Sequence, residues 1–569
     1  MTLEPRRSGS DAWPAGTFIS GPLATRNAAL FTDLYELTMA ASYWREGMRG
    51  RATFSLFVRQ LPRERSFLLA AGLQDVLDYL RSIQFSTQAL EYVRTLGGFH
   101  ADFLEFLRGL RFSGDVRAVP EGTVLFADEP LLEVTAPIIE AQLVETAVIN
   151  FCHYQTLVAS KAARSVLAAE GRSVVEFGLR RTPGVDAGMK AARSAYLAGV
   201  AMSSNVLAGL EYGIPPAGTM AHSYVSAFAH EIDAFRAFAR AFPGRTVLLI
   251  DTYDTEAAAH KAVAVAREME GRGERLLGVR LDSGDLAGLS TRVRRILDDA
   301  GLSYVRIYAS GGLDERDIAA LLARGAPIDA FGVGTRMDVS ADAPYLDMAY
   351  KLVTYEGRDV LKTSAGKTTF PGAKQIYRFQ GRDGPFESDL LALLEEPPPS
   401  RAARSLLRPV MRSGHLVEPH PTLEAARAHC QDQLAQLPAA VRRMTDPGPY
   451  AVRYSDRLLG LQRAVTARIM ANEIAPIRQQ AREPAEGSRR LGRSREARAA
   501  VARTRSVSEA PGPNKAGRPP AEVVSRPQVR RRRKPAGAAL RKGKTPTPVE
   551  AEQRPRVAPA ARQRKFRKR

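Results

Sequence analysis

Five short apolar runs, at 173–177, 246–251, 277–282, 305–310 and 330–334, alternate with long Ala-rich segments, and each run ends in Gly, Asp, Ser or an aromatic residue. Runs of four to six apolar residues separated by helix-length segments predict parallel strands joined by crossover helices. The expected fold is therefore an α/β parallel barrel, closed or nearly so. In such sheets ligands collect at the C-terminal ends of the strands. The polar residues that end the runs are thus expected around one mouth.

The chain ahead of this region reads differently. Residues 29–48 carry apolar positions three to four apart after the cap candidate Asn27, which predicts a helix. Residues 51–59 read as a strand, 72–110 as helix broken near Gly97 and Gly98, and 116–134 as short strands around Pro120-Glu121-Gly122. The resulting division is an α+β domain at 22–137, the barrel from 138 onward and a tail at 482–569. That tail holds 27 Lys+Arg against 7 Asp+Glu, whereas the rest of the chain is nearly neutral with 55 against 54. With Phe566 its only aromatic residue, the tail is too polar to build a core and is expected to be disordered. It suits weak contact with a polyanion but offers no base-stacking surface. Cys152 and Cys430 are far apart and lack zinc spacing, as do His415, His420 and His429. No metal site is expected from side chains alone. No apolar run approaches the roughly 20 residues of a membrane span, so a cytoplasmic protein is expected.

Several residue groups carry chemistry. Phe177 with Arg180 and Arg181 pairs an aromatic face with two guanidiniums, and Arg280 lies two residues before Asp282. Gly311-Gly312 and Gly334-Thr335 follow strands and can bring backbone N–H groups to a phosphate. The stretch Gly218-Thr219-Met220-Ala221-His222-Ser223 places one histidine among hydroxyls and small residues. A neutral imidazole is a nucleophile near pH 7. Gly366-Lys367-Thr368 ends like a phosphate-binding P-loop, but Leu361 stands where its first glycine is required.

The ordered motifs Phe31-Thr-Asp-Leu-Tyr35, Glu176-Phe-Gly-Leu-Arg-Arg181, Gly218-Thr-Met-Ala-His-Ser, Gly278-Val-Arg-Leu-Asp-Ser-Gly-Asp285, Phe331-Gly-Val-Gly-Thr335 and Pro371-Gly-Ala-Lys-Gln-Ile-Tyr-Arg378 resemble the nicotinate phosphoribosyltransferase family. The resemblance implies a type II phosphoribosyltransferase fold, in which an irregular α/β barrel at 138–365 joins an α+β domain built from 22–137 and a returning C-terminal region at 366–475, usually dimeric, with a site shared between subunits. It implies the joining of nicotinate to phosphoribosyl pyrophosphate, giving nicotinate mononucleotide and pyrophosphate for NAD salvage. ATP hydrolysis would be coupled through a phosphohistidine at His222, with Mg²⁺ accompanying the phosphates. In family terms Tyr35, Thr219 and Arg280 match nicotinate-contacting positions, Tyr35 reaching the neighbouring site, and Thr335 matches a phosphate position.

Within that frame Asp282 suits the positive charge that develops on the ribose C1. Phe177 and Tyr35 suit the two faces of a pyridine ring, and Arg180 or Arg280 its carboxylate. Asn205 is expected to favour the acid substrate over the amide. Met202, in a turn the family usually makes glycine-rich, is expected to narrow the pocket or to shift the local backbone. An enzyme for nicotinamide or another pyridine, and a non-catalytic relative acting through the basic tail, are the alternatives.

Overall fold

The computed structural model describes residues 27–364, 369–381 and 384–477. The tail expected at 482–569, the first 21 residues and Gly366-Lys367-Thr368 lie outside them.

Near the N-terminus the helix starts later than its apolar spacing suggests. Ala28–Leu30 form a 3-10 turn, and α1 spans Leu34–Arg45. Asn27 does not cap it, because its side chain donates to Gln88 Oε1 at 3.1 Å and accepts from Ser86 Oγ at 2.7 Å. After β1 (Arg51–Val58) and β2 (Leu68–Leu69), the helical stretch divides into three: α2 (Leu73–Ser82), α3 (Thr87–Thr95) and α4 (Ala101–Gly109). Left-handed Gly97 and Gly98 make the expected break. A second break falls at 83–86, where Ile83 and Phe85 turn into the core and Ser86 caps α3 by accepting from Ala89 N–H at 3.0 Å. The strands β3 (Asp115–Ala118), β4 (Val124–Leu125) and β5 (Pro130–Pro137) follow, then α5 (Ile138–Leu143).

Helix α6 (Glu145–Ala168) runs about 36 Å at 1.5 Å per residue and forms the wall between the two halves of the fold. Its buried Lys161 bridges Glu315 at 2.6 Å and Asp342 at 3.0 Å, and Arg164 donates to Glu315 at 3.1 Å. No described helix is long and apolar enough to cross a membrane. Cys152 and His153 lie on α6 as packing residues: the thiol is buried, and His153 Nε2 accepts from Leu346 N–H at 2.9 Å.

Where α1 meets the start of α6, Glu36 is fully buried and accepts from Thr146 Oγ1 at 2.5 Å and Thr146 N–H at 3.0 Å. Burial pushes its carboxyl up to about 7 from 4.5. Between those values the folded chain keeps a proton that the unfolded chain has released, so this group's contribution to stability falls as pH rises from about 4.5 to 7. Glu36→Gln is expected to flatten the melting-temperature profile across that window. Parallel profiles for the two proteins would contradict it.

The parallel strands are β6 (Ser173–Glu176), β7 (Met202–Ser203), β8 (Val247–Leu249), β9 (Gly278–Leu281), β10 (Arg306–Ala309) and β11 (Ala330–Val333), in the order β7-β6-β11-β10-β9-β8. Their helices are α7 (Val185–Leu197), α8 (Val206–Tyr212), α9 (His222–Ser226), α10 (Glu231–Ala241), α11 (Thr255–Glu270), α12 (Leu286–Asp299) and α13 (Glu315–Ala323), followed by the short α14 (Thr335–Asp338). The sheet curls into a partial barrel but is not closed by strands: β8 and β7 are its free edges. Residues 214–222 fill the open sector. On one side Ser203 N–H donates to Pro215 O at 3.1 Å and Ala217 N–H to Ser203 O at 2.8 Å. On the other, Arg280 Nη1 donates to Thr219 Oγ1 at 2.8 Å.

The chain re-enters the first sheet at β12 (Met348–Tyr355), antiparallel to β1 and followed by β13 (Arg358–Asp359). The return therefore begins before residue 365, because β12 completes the cover of β1 opposite β5. The remaining elements are β14 (Lys374–Gln380), β15 (Phe386–Leu393), β16 (Arg404–Ser405), β17 (Arg408–Arg412), β18 (His415–Leu416), α15 (Leu423–Ala435), β19 (Ala451–Tyr454) and α16 (Asp456–Ile469). The first sheet is ordered β13-β12-β1-β5-β3-β17-β18, and a smaller one β16-β14-β15-β19. Lys374 of β14 links them, its N–H donating to Glu133 Oε1 of β5 at 3.1 Å, while buried Arg378 donates to Asp389 at 2.6 Å and to Val124 O of β4 at 2.9 Å.

Candidate active site

At the C-terminal ends of the parallel strands lies a pocket of about 460 Å³. It gathers Phe177, Arg180, Thr219, Arg280, Asp282, Gly311, Gly312, Gly334 and Thr335, which the sequence places on five separate segments. Leu179, Ser204 and Ser310 line it as well and were not singled out from sequence. Ser204 and Ser310 each sit one residue past a strand, the signal that could have found them.

Each side chain has a local cause for its position. Arg280 lies on β9 at the sheet end, where burial pulls its guanidinium below the ordinary arginine range and Nε has no acceptor among the described residues. Asp282 follows the same strand. Ser310 Oγ donates to its Oδ1 at 2.5 Å, leaving Oδ2 toward His222 Nε2 at 3.9 Å. Asp251 Oδ2 accepts from Asp282 N–H at 3.0 Å and Ser283 Oγ at 2.6 Å, fixing that turn, while its buried Oδ1 has no donor among the described residues. Arg181 Nη1 donates to Thr335 Oγ1 at 3.2 Å, which joins two of the pocket's loops.

Glycine is required where backbones meet. Gly311 has φ +101°, and a Cβ there would overlap the carbonyl of Asp282. At Gly332 a Cβ would lie 2.6 Å from the Phe177 ring, so only glycine lets that ring pack flat beside β11. Among the described residues Gly311 and Gly312 N–H have no acceptor, which leaves them available to an anion.

His222 opens α9 at the rim rather than in the wall, its side chain 45% exposed. Its Nδ1 is 3.2 Å from Thr252 Oγ1. Tyr35 stands half-exposed on the first turn of α1, outside this chain's pocket. Asn205 is a correction to the sequence reading. Its Oδ1 caps α8 by accepting from Ala208 N–H at 3.1 Å, its Nδ2 donates to Gly188 O at 3.2 Å, and it is buried away from the pocket. Met202 lies within β7 and does not line the pocket, so it does not narrow it. Asp254 caps α11, and Asp285 faces solvent beside Arg324. No cluster of three or more metal-ligating side chains occurs among the described residues.

Comparison with known proteins agrees with this arrangement. Residues 30–153 match the nicotinate phosphoribosyltransferase N-terminal domain, 173–372 the nicotinate phosphoribosyltransferase family, and 401–462 its C-terminal domain. The chain is 52% identical over 434 residues to nicotinate phosphoribosyltransferase pncB2 of Mycobacterium tuberculosis, covering 76% of this chain and 92% of that protein. It is 38% identical over 459 residues to the Bacillus subtilis nicotinate phosphoribosyltransferase, covering 75% and 93%. The crystal structure of human nicotinic acid phosphoribosyltransferase superposes with a TM-score of 0.69 at 33% identity, over 76% of this chain and 99% of that one. With three consecutive family domains matched and the strand-end pocket assembled as such a reaction requires, the chain belongs to the nicotinate phosphoribosyltransferase family.

Proposed function

We propose that the protein transfers the phosphoribosyl group of phosphoribosyl pyrophosphate to nicotinate, forming nicotinate mononucleotide and pyrophosphate for NAD biosynthesis, and that ATP drives the reaction through phosphorylation of His222. The observation that carries this reading is the convergence of Arg280, Thr219, Asp282 and the Gly311-Gly312 turn on one pocket, with an accessible histidine at its rim. Phe177 supplies a flat face for the pyridine ring, and Arg280 with Arg180 the charge for its carboxylate. Departure of pyrophosphate leaves positive charge on the ribose C1, which the Asp282 carboxylate stabilises, and the backbone N–H groups of Gly311 and Gly312 hold phosphate oxygens.

Asp251 and Asp282 suit a Mg²⁺ ion carried in on the phosphates, because Asp251 Oδ1 is a buried carboxylate oxygen without a donor. When bound, that ion neutralises the leaving pyrophosphate. Tyr35, exposed and away from its own chain's pocket, fits a ring-covering role in the site of a second subunit of a homodimer.

The test uses the full chain with phosphoribosyl pyrophosphate, Mg²⁺ and either nicotinate or nicotinamide, with and without ATP. Nicotinate mononucleotide should form, faster with ATP, and nicotinamide should compete poorly. Equal turnover of the two pyridines, or no mononucleotide, would overturn the assignment.

A further inference from the structure

Glu176 at the end of β6 and Asp338 at the end of α14 are both buried, and their carboxyl groups meet at Gly178, whose N–H donates to one and whose Cα is covered by the other. Their surroundings differ. Glu176 Oε1 accepts from Gly178 N–H, and Oε2 accepts from Ser203 Oγ at 2.5 Å. Neither oxygen of Asp338 has a donor among the described residues. The Asp338 carboxyl instead packs against Gly178, where any Cβ would overlap it. No ion pair to either carboxylate occurs among the described residues. Arg181 is directed to Thr335, and Lys190 to Asp75 at 2.7 Å.

Two adjoining carboxylates without a cation cannot both be ionised in a poorly polarisable interior. We propose that Glu176 and Asp338 share one proton, carried by Asp338 and donated to Glu176, and that this hydrogen bond latches the pocket's loops together. Burial first, and the Glu176 charge second, hold the Asp338 carboxyl well above the usual carboxylate range. The latch joins three segments. Asp338 closes the turn that begins at Thr335, Phe177 N–H donates to Val333 O at 2.8 Å, and Ser204 N–H donates to Glu176 O at 2.9 Å.

Groups facing the pair from neighbouring elements leave the proton in place. From α6, Tyr154 donates its O–H to the Asp338 carbonyl at 2.9 Å, not to the carboxyl. From α7, Asp186 places its charge against Tyr154, and burial raises its own carboxyl. Arg180 and Arg181 lie on the exposed turn after Gly178. Loss of the shared proton at alkaline pH places two negative charges under Phe177 and Gly178 and loosens the site. Glu176 and Asp338 are positioning residues: neither lines the pocket.

Asp338→Asn and Glu176→Gln in the full chain test this. An Asn amide reproduces the neutral donor, so that variant should fold, keep kcat/KM for nicotinate within about threefold at neutral pH, and lose the alkaline fall in activity. Glu176→Gln removes an acceptor from buried donors and should raise KM by about tenfold or more, with a smaller change in kcat. Infrared spectra at neutral pH should show a protonated-carboxyl C=O band that disappears in Asp338→Asn, while the band from buried Glu129, also raised by burial, remains. Because the folded chain keeps a proton that the unfolded chain releases, the wild-type melting temperature should fall more steeply with rising pH than that of Asp338→Asn. An unfolded or inactive Asp338→Asn protein, an unchanged alkaline limb or an unchanged infrared difference would each overturn the latch. Turnover rests on the assigned reaction, but the infrared and melting readouts do not. A wild-type protein without nicotinate turnover would therefore count against the reaction, while the spectra still decided the latch.

Discussion

His222→Ala protein is expected to incorporate no phosphate from ATP and to lose all ATP stimulation of nicotinate turnover, while a slow ATP-independent transfer persists. The geometry separates these two outcomes. The imidazole is at the rim and not in the pocket wall, so its removal leaves Arg280, Thr219 and the Gly311-Gly312 turn undisturbed. In the tautomer that carries its proton on Nδ1, toward Thr252 Oγ1 at 3.2 Å, the Nε2 lone pair is free to attack a terminal phosphoryl group. Asp282 Oδ2, 3.9 Å from Nε2, stabilises the imidazole when it carries positive charge. Labelled ATP followed in the same reactions as nicotinate mononucleotide measures both effects. Wild-type levels of label in the variant would remove His222 from the mechanism.

The second large effect is expected at Arg280. Replacement by Ala removes the cation aimed at the substrate carboxylate and the donor to Thr219 Oγ1, a bond that also ties β9 to the segment filling the open sector of the barrel. Truncating one partner of a buried, hydrogen-bonded charge pair costs about 2–5 kcal/mol, so kcat/KM for nicotinate should fall by roughly 30- to 5,000-fold. Nicotinamide, which has no carboxylate to pair, should lose far less, and the ratio of the two kcat/KM values should collapse. Arg280→Lys keeps the charge but not the two parallel N–H donors and should recover only part of the loss. An unchanged preference for the acid in Arg280→Ala would shift carboxylate recognition to Arg180.

Much of this site was legible in the sequence, because strand-end residues are placed by topology more than by packing detail. Once 277–282 reads as a strand in a parallel sheet, Arg280 and Asp282 must approach the mouth, and the same logic delivers Phe177, Gly311 and Thr335. The reading failed where a side chain has a competing local use. Asn205 is a helix cap, and capping competence is the same property that made its amide look suited to a ligand. Met202 belongs to a two-residue strand, too short for any periodicity to reveal. The start of α1 was misplaced because the apolar spacing continues through Ala28–Leu30, although the helix does not. Asp338 gave no signal at all: in Thr335-Arg-Met-Asp338 it resembles an ordinary exposed helix carboxylate, and only the approach of Gly178 buries it.

The sector between β8 and β7 has a consequence for how freely the barrel's bore can change. A ring made entirely of paired strands resists any change of bore, since every displacement breaks ladder hydrogen bonds on both sides. Here one stave is irregular chain, fastened by backbone at Ser203 but only by side chains toward β9, and it carries both Thr219 and His222. A charge added at that histidine would act on this one stave, hinged like a shutter, while the six strands beside it are held by their ladders.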